Sequence, residues 1–178
     1  MIKFIAADLD GTLLNSSHAL PDGFMELLEK LYDMGITFAA ASGRQYYGVE
    51  KLFMPVRDKM MFIAENGGVA YEKGQLIYSL PMPDEDVLAM VHEAEKLYDK
   101  GVRILLSGEN CAYVADSDKD FSDSCNTYCA RLKTVNDFSV IPDGDRIIKI
   151  ALFDKNAEAG VYPAMKRFSD DFNVILSN

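Results

Sequence analysis

Asp8 and Asp10 lie two residues apart in Asp8-Leu9-Asp10-Gly11-Thr12, directly after the apolar run Ile2 to Ala7. On an extended backbone, side chains at that spacing point to the same side. Two close carboxylates are costly unless a cation sits between them or one of them keeps a proton. The pairing suits a hard, oxygen-liganded ion such as Mg²⁺, with one carboxylate left to attack an electrophile. Taken alone, the pair also fits a solvated turn, but its place straight after an apolar strand favours the chemical reading. A second constellation, Ser42-Gly43-Arg44, occupies the matching place after Ile36 to Ala41. A small hydroxyl, a glycine that lets backbone N–H groups approach and the start of a helix can together receive an anion. Ser is equally a favoured helix N-cap, and Arg44 is either a substrate-side cation or a surface arginine.

Both constellations depend on strands to place them. Ile2–Asp8, Ile36–Ala41 and Met60–Ala64 read as short strands buried on both faces. A helix is expected to open at Leu20-Pro21-Asp22 and stop before Gly35, with Phe24, Leu27, Leu28 and Leu31 as its core stripe. Another runs from Ser42-Gly43-Arg44 through Tyr47 and Leu52. This alternation is the doubly wound α/β pattern, whose parallel sheet binds ligands outside the carboxyl ends of its strands. The pattern then changes. Val69–Tyr71 and Gln75–Ser79 flank Lys73-Gly74 as a hairpin, and Leu80-Pro81-Met82-Pro83 marks a boundary. Beyond it come a helix over Asp84–Lys100 with Val87, Val91, Ala94 and Tyr98 on one stripe, then a hairpin of Val102–Ser107 with Cys111–Ala115. A helix over Lys119–Leu132, a strand Ile147–Phe153, a helix ending near Phe168 and a strand Phe172–Leu176 follow. The expected fold is α/β: an incomplete Rossmann-like core with a parallel sheet over residues 1–80, then an α+β segment over 81–178.

Charge narrows the partners. Lys and Arg number 18 against 28 Asp and Glu, for a formal net charge of −10 over 178 residues. A surface that acidic repels nucleic acid and anionic lipid, so neither is expected as a partner. Small anionic substrates would be repelled too, unless a cation or a focused donor site receives them. No apolar run approaches the length of a membrane span, and Asp8 comes too early for the opening residues to be a secretory signal, so a cytoplasmic address is expected. Cys111, Cys125 and Cys129 then read as reduced thiols; Cys125 and Cys129 are one helical turn apart, but no CxxC and no nearby His supports a zinc site. Oligomeric state leaves no signature.

Asp8-Leu9-Asp10-Gly11-Thr12-Leu13-Leu14, then Ala41-Ser42-Gly43-Arg44, then Glu65-Asn66-Gly67-Gly68, resembles the haloacid dehalogenase-like (HAD) hydrolase superfamily. Within it the chain is similar to the Cof-type phosphatases, which insert a large α/β cap after the third core strand. The resemblance implies Asp8 as nucleophile, forming an aspartyl-phosphate, and Asp10 as the acid and then the base. It also implies Ser42 and the Gly43 amide as binders of the phosphoryl group, and Mg²⁺ held by the Asp8 carboxylate and the Asp10 carbonyl. The substrate class implied is a small phosphorylated metabolite, a sugar phosphate among the candidates. Asn66-Gly67 reads as a turn rather than a ligand.

The pattern also has gaps. The family uses a later Lys and a later Gly-Asp…Asp loop, and neither has a convincing counterpart here. Lys149 and Lys166 lie on a strand and a helix of the cap type. Asp143-Gly144-Asp145 reads as a polar turn, and Asp116, Asp118 and Asp120 as a solvated acidic turn without the Gly and Glu of a calcium loop. The chain is therefore expected to be the front part of a longer enzyme. The competing expectation is a catalytically silent fragment that acts as a binding or assembly module, its Asp8 strand lying on an open sheet edge. A nucleotide-sugar transferase with a D-x-D site leaves the Gly-Thr-Leu and Ser-Gly-Arg contexts unexplained.

Overall fold

The computed structural model describes residues 1–115 and 119–177. The chain forms two compact units: Met1–Leu80 with Asn126–Arg131, and Pro81–Cys125 with Leu132–Asn178. The expected acidic turn at Asp116, Asp118 and Asp120 falls largely outside the described residues.

In the first unit, β1 (Phe4–Asp8), β2 (Thr37–Ala41) and β3 (Met61–Ala64) are parallel, and β4 (Val69–Glu72) and β5 (Gln75–Ser79) extend the sheet antiparallel, in the order β1-β2-β3-β4-β5. The hairpin turns at Lys73 and Gly74, both with positive φ, which matches the twist of the flanking strands. Helices α1 (Phe24–Asp33) and α2 (Tyr46–Leu52) connect the parallel strands. Ala39 and Ala40 are fully buried, with Phe38, Val49, Phe53 and Phe62 forming the core around them.

Three expectations for this unit change. Strand β1 is not buried on both faces: the face carrying Phe4, Ala6 and Asp8 is exposed, and β1 is the edge of the sheet with a neighbour on one side only among the described residues. Helix α1 starts at Phe24 rather than at Pro21. Gly23 precedes it in the left-handed region, and the Phe24 N–H reaches back to the Pro21 carbonyl in a separate turn. Its stripe is narrower than the spacing predicts, since Leu28 is buried while Leu27 is exposed.

The second unit is a sheet in the order β8-β7-β6-β9, from β6 (Arg103–Gly108), β7 (Ala112–Ala115), β8 (Leu132–Val135) and β9 (Ile147–Phe153), with α3 (Asp84–Glu95), α4 (Lys119–Cys125) and α5 (Val161–Met165). Val87, Val91 and Ala94 of α3 are buried with Ile104, Leu106, Tyr113, Phe138 and Ile147. Helix α3 ends at Glu95, and a separate turn, Tyr98–Lys100, runs into Gly101 at φ 95°. The long helix expected to Leu132 stops at Cys125. Residues 126–131 pack with the first unit instead, and Leu132–Val135 pairs parallel to β7. The strand expected over Phe172–Leu176 is absent: Phe172 and Val174 are half-buried and Val174 packs against the core, but no neighbouring strand supplies a ladder among the described residues. No helix among the described residues is long and apolar enough to cross a membrane.

Candidate active site

Parallel pairing decides where the acidic residues come to lie. Asp8 is in register with Ala41, and Ala41 with Ile63, so the exits of β1, β2 and β3 stand side by side. After Asp8 the chain makes one wide turn, Leu9–Leu13, closed by the Leu14 N–H donating to the Leu9 carbonyl at 2.8 Å. Gly11 takes φ 74° within it, a conformation that only glycine adopts cheaply. Leu9 is fully buried and anchors the turn, leaving Asp8 and Asp10 exposed. The Asp8 carboxylate has no hydrogen-bond or ion-pair partner among the described residues.

The step after β2 is laced to the exit of β3. Ser42 N–H donates to the Ile63 carbonyl at 2.9 Å, Glu65 N–H to the Arg44 carbonyl at 3.1 Å, and Asn66 N–H to the Ser42 carbonyl at 3.2 Å. Ser42 is buried and its Oγ accepts the Arg44 N–H at 3.1 Å. It does not cap α2, whose N-cap is Gln45. A Cβ on Gly43 would collide with Oδ1 of Asn66, so the two motifs approach closely here and any larger residue would have to displace the Asn66 side chain. Asn66 itself makes the expected turn, at φ 58°.

Arg44 closes the group. Its Nε donates to Asp10 Oδ2 at 2.9 Å and its Nη2 to Asp10 Oδ1 at 2.5 Å, a bidentate fork. His18, with φ 55°, stands beside the pair, its Nδ1 3.4 Å from Arg44 Nη2 and 3.7 Å from Asp10 Oδ1. Asn15 folds this loop by accepting the N–H groups of Ser17 and Ala19 on its Oδ1. Arg44 is thus paired with Asp10 across the two motifs and does not project alone into solvent. The sequence reading had no signal for His18, whose neighbours are set by the loop, nor for Gln45, which is buried and turned toward Arg131.

The donor chemistry fits a hard cation in type. Asp8 offers carboxylate oxygens and Asp10 a backbone carbonyl, both of which Mg²⁺ takes, while the Asp10 carboxylate is paired with Arg44. Among the described residues no cluster of three or more His, Cys, Asp or Glu gathers to hold a metal, at these carboxylates or at Cys125 and Cys129. Asp145 is a buried acceptor within the second unit, bonded by the Cys111 N–H and the Tyr113 hydroxyl.

Comparison with known proteins places this geometry. The chain is 33% identical over 147 residues to the 5-amino-6-(5-phospho-D-ribitylamino)uracil phosphatase YbjI of Escherichia coli (strain K12), covering 80% of this chain and 52% of that protein. The crystal structure of SMU.1108c from Streptococcus mutans UA159 superposes with a TM-score of 0.82 at 28% identity, over 97% of this chain and 64% of that one. The HAD subclass IIB sugar phosphatase BT4131 shares the fold, with a TM-score of 0.70 at 22% identity over 92% of this chain and 62% of that one. The chain spans about half the length of the curated relatives it matches. The model of the haloacid dehalogenase-like hydrolases matches residues 5–177, and the chain belongs to that family.

Proposed function

We propose that this chain is the front part of a cytoplasmic, Mg²⁺-dependent phosphatase acting on a small phosphate monoester. The observation that carries the reading is the juxtaposition of an exposed, unpartnered Asp8 with the Ser42-Gly43-Arg44 step, set by the register of three parallel strands. YbjI, the relative at 33% identity, is named for a phosphate ester of a ribityl chain, which supports a phosphorylated small molecule as substrate. In this reading residues 1–80 belong to the catalytic core and 81–178 to the cap.

The chemistry follows from the residues. Asp8 attacks phosphorus with one carboxylate oxygen, forming an aspartyl-phosphate as the bond to the leaving oxygen breaks. Asp10 takes up a proton from water, gives it to that oxygen, and then takes one from the water that hydrolyses the acyl-phosphate. Ser42 and the Gly43 backbone hold the phosphoryl oxygens, and Arg44 offsets their charge. Mg²⁺, held by the Asp8 carboxylate and the Asp10 backbone carbonyl, would neutralise the charge that builds between the carboxylate and the phosphoryl group.

The test is phosphate release from a panel of sugar phosphates in Mg²⁺. Asp8→Asn is expected to abolish turnover, because an amide is not a competent nucleophile. Replacing Mg²⁺ by Ca²⁺, whose looser shell misplaces the attacking oxygen, is expected to block it. Near wild-type release by Asp8→Asn, or full activity in chelator, overturns the reading.

A further inference from the structure

Residues 126–131 pack with the first unit although the chain on either side of them belongs to the second. Gln45 holds them there. Its Nε2 donates to the Arg131 carbonyl at 2.9 Å, and the Arg131 N–H donates to its Oε1 at 2.8 Å. One buried side-chain amide makes both bonds that a neighbouring strand would make. Gln45 directly follows Arg44, so this clamp keeps Arg131 within one side chain's reach of the Ser42-Gly43-Arg44 step.

The guanidinium of Arg131 lies 3.4 Å over the Tyr47 ring. Stacking covers one face of its plane and leaves the N–H edges pointing outward. Arg44, Arg57, Arg146 and Arg167 each pair with a carboxylate, and Arg103 donates to the backbone carbonyls of Tyr98 and Val102. Arg131 has no carboxylate on its guanidinium among the described residues, in a chain with 28 acidic side chains. It is exposed, held through its own backbone and flattened on a ring. A fork fixed in that way loses little freedom when a planar anion meets it edge-on.

The geometry points to Arg131 as a specificity-determining residue: it receives a carboxylate carried by the leaving part of the phosphate ester. This rests on the phosphatase reading of the site and assigns the substrate class within it, phosphate monoesters of sugar acids over those of neutral polyols. The stacked fork recognises the carboxylate, while Ser42, Gly43 and Arg44 handle the phosphoryl end.

Two probes that differ only in that group test it. Phosphogluconate ends in a carboxylate, and in sorbitol phosphate a hydroxymethyl group replaces it. Binding of each to the chain in Mg²⁺ is followed by the amide resonances of residues 42–45 and by the Arg131 Nε resonance, with inorganic phosphate as the reference ligand. The expected result is that phosphogluconate binds about fivefold or more tightly than sorbitol phosphate, the scale of an exposed but preorganised ion pair. The Arg131 Nε resonance should move only with phosphogluconate. Arg131→Gln should make the two esters equal, and Arg131→Lys should restore part of the preference, since it keeps the charge and loses the fork. If the two esters bind with equal affinity, or if the preference survives in Arg131→Gln, the inference is overturned while the phosphatase reading stands. If no phosphate compound shifts residues 42–45, the reading falls and the inference with it.

Discussion

Replacing Asp145 by alanine removes the carboxylate around which the β6–β7 turn is folded. Its Oδ2 accepts the Asn110 N–H at 3.1 Å, the Cys111 N–H at 3.2 Å and the Tyr113 hydroxyl at 3.0 Å. Its Oδ1 accepts the Asn110 carboxamide at 3.0 Å and the Arg146 N–H at 2.9 Å. A Cβ on Gly108 would collide with the same carboxylate, so the turn is built closely against it. Asn110 and Arg146 are exposed and turn to water at little cost, whereas Cys111 and Tyr113 are 6% and 1% exposed. Each buried donor deprived of its acceptor costs about 1–3 kcal/mol, so Asp145→Ala should lose roughly 3–4 kcal/mol. In a domain of this size that lowers the melting temperature by about 15 °C. Asp145→Asn keeps an acceptor oxygen and should lose about half as much. Urea unfolding followed by far-ultraviolet circular dichroism, with amide exchange at Cys111 as a local probe, measures both variants. A loss below about 1 kcal/mol for Asp145→Ala, at unchanged denaturant slope, would refute the argument that these donors depend on the carboxylate.

Two further outcomes follow from the first unit. Tyr46 stacks on Tyr71 with ring centroids 3.6 Å apart and donates its hydroxyl to Glu50 Oε1 at 2.9 Å. Burial first, and the bond to Glu50 second, raise its pKa well above the usual phenol value. The folded state therefore favours the neutral phenol. Its contribution is fully present below about pH 10 and is lost as pH rises toward the folded pKa, since the unfolded chain ionises first. Tyr46→Phe should cost about 1 kcal/mol near neutrality and flatten the alkaline fall in urea midpoint; an equally steep fall in the variant would contradict this. Arg44→Lys should change stability by less than about 1 kcal/mol, because both members of the Asp10 pair are exposed. It should nonetheless weaken binding of inorganic phosphate, read from the amides of residues 42–45, and unchanged phosphate binding would remove Arg44 from the site.

Local chemistry made part of this legible. The β4–β5 hairpin announces itself in Lys73-Gly74, the α3 stripe in Val87, Val91 and Ala94, and the site in two motifs that each follow an apolar strand. What the sequence hid depends on distant partners. The apolar residues of β1 read as doubly buried because apolarity carries no information about whether a neighbour is present, and β1 lies on the edge. Residues 126–131 read as helix because their local pattern permits it. In the fold, Gln45, 86 residues away, takes the Arg131 N–H and carbonyl that a helix would have used. Phe172 to Leu176 has strand-like alternation, and the residues alone do not tell whether a ladder exists to receive it.

The Asp10–Arg44 fork shapes the charge balance of the proposed reaction. Before substrate arrives, Arg44 neutralises Asp10 and leaves Asp8 as the open negative charge. A phosphate monoester carries about two negative charges near neutral pH, so its approach to Asp8 is repulsive unless positive charge accompanies it. A divalent cation held at Asp8 would reverse the local sign in a chain of net charge −10. Nε and one Nη2 N–H of Arg44 face Asp10, which leaves its Nη1 side for the phosphoryl oxygens. In the proposed reaction Arg44 therefore bridges the two, holding Asp10 in place while it offsets phosphoryl charge. Asp10 takes up a proton from water and passes it to the leaving oxygen. The bridge is open to measurement: inorganic phosphate should move the Arg44 Nη resonances strongly and the Nε resonance, which faces Asp10, much less. Equal shifts of both, with the Asp10 side-chain carboxyl resonance moving alongside, would show that phosphate displaces Asp10 instead.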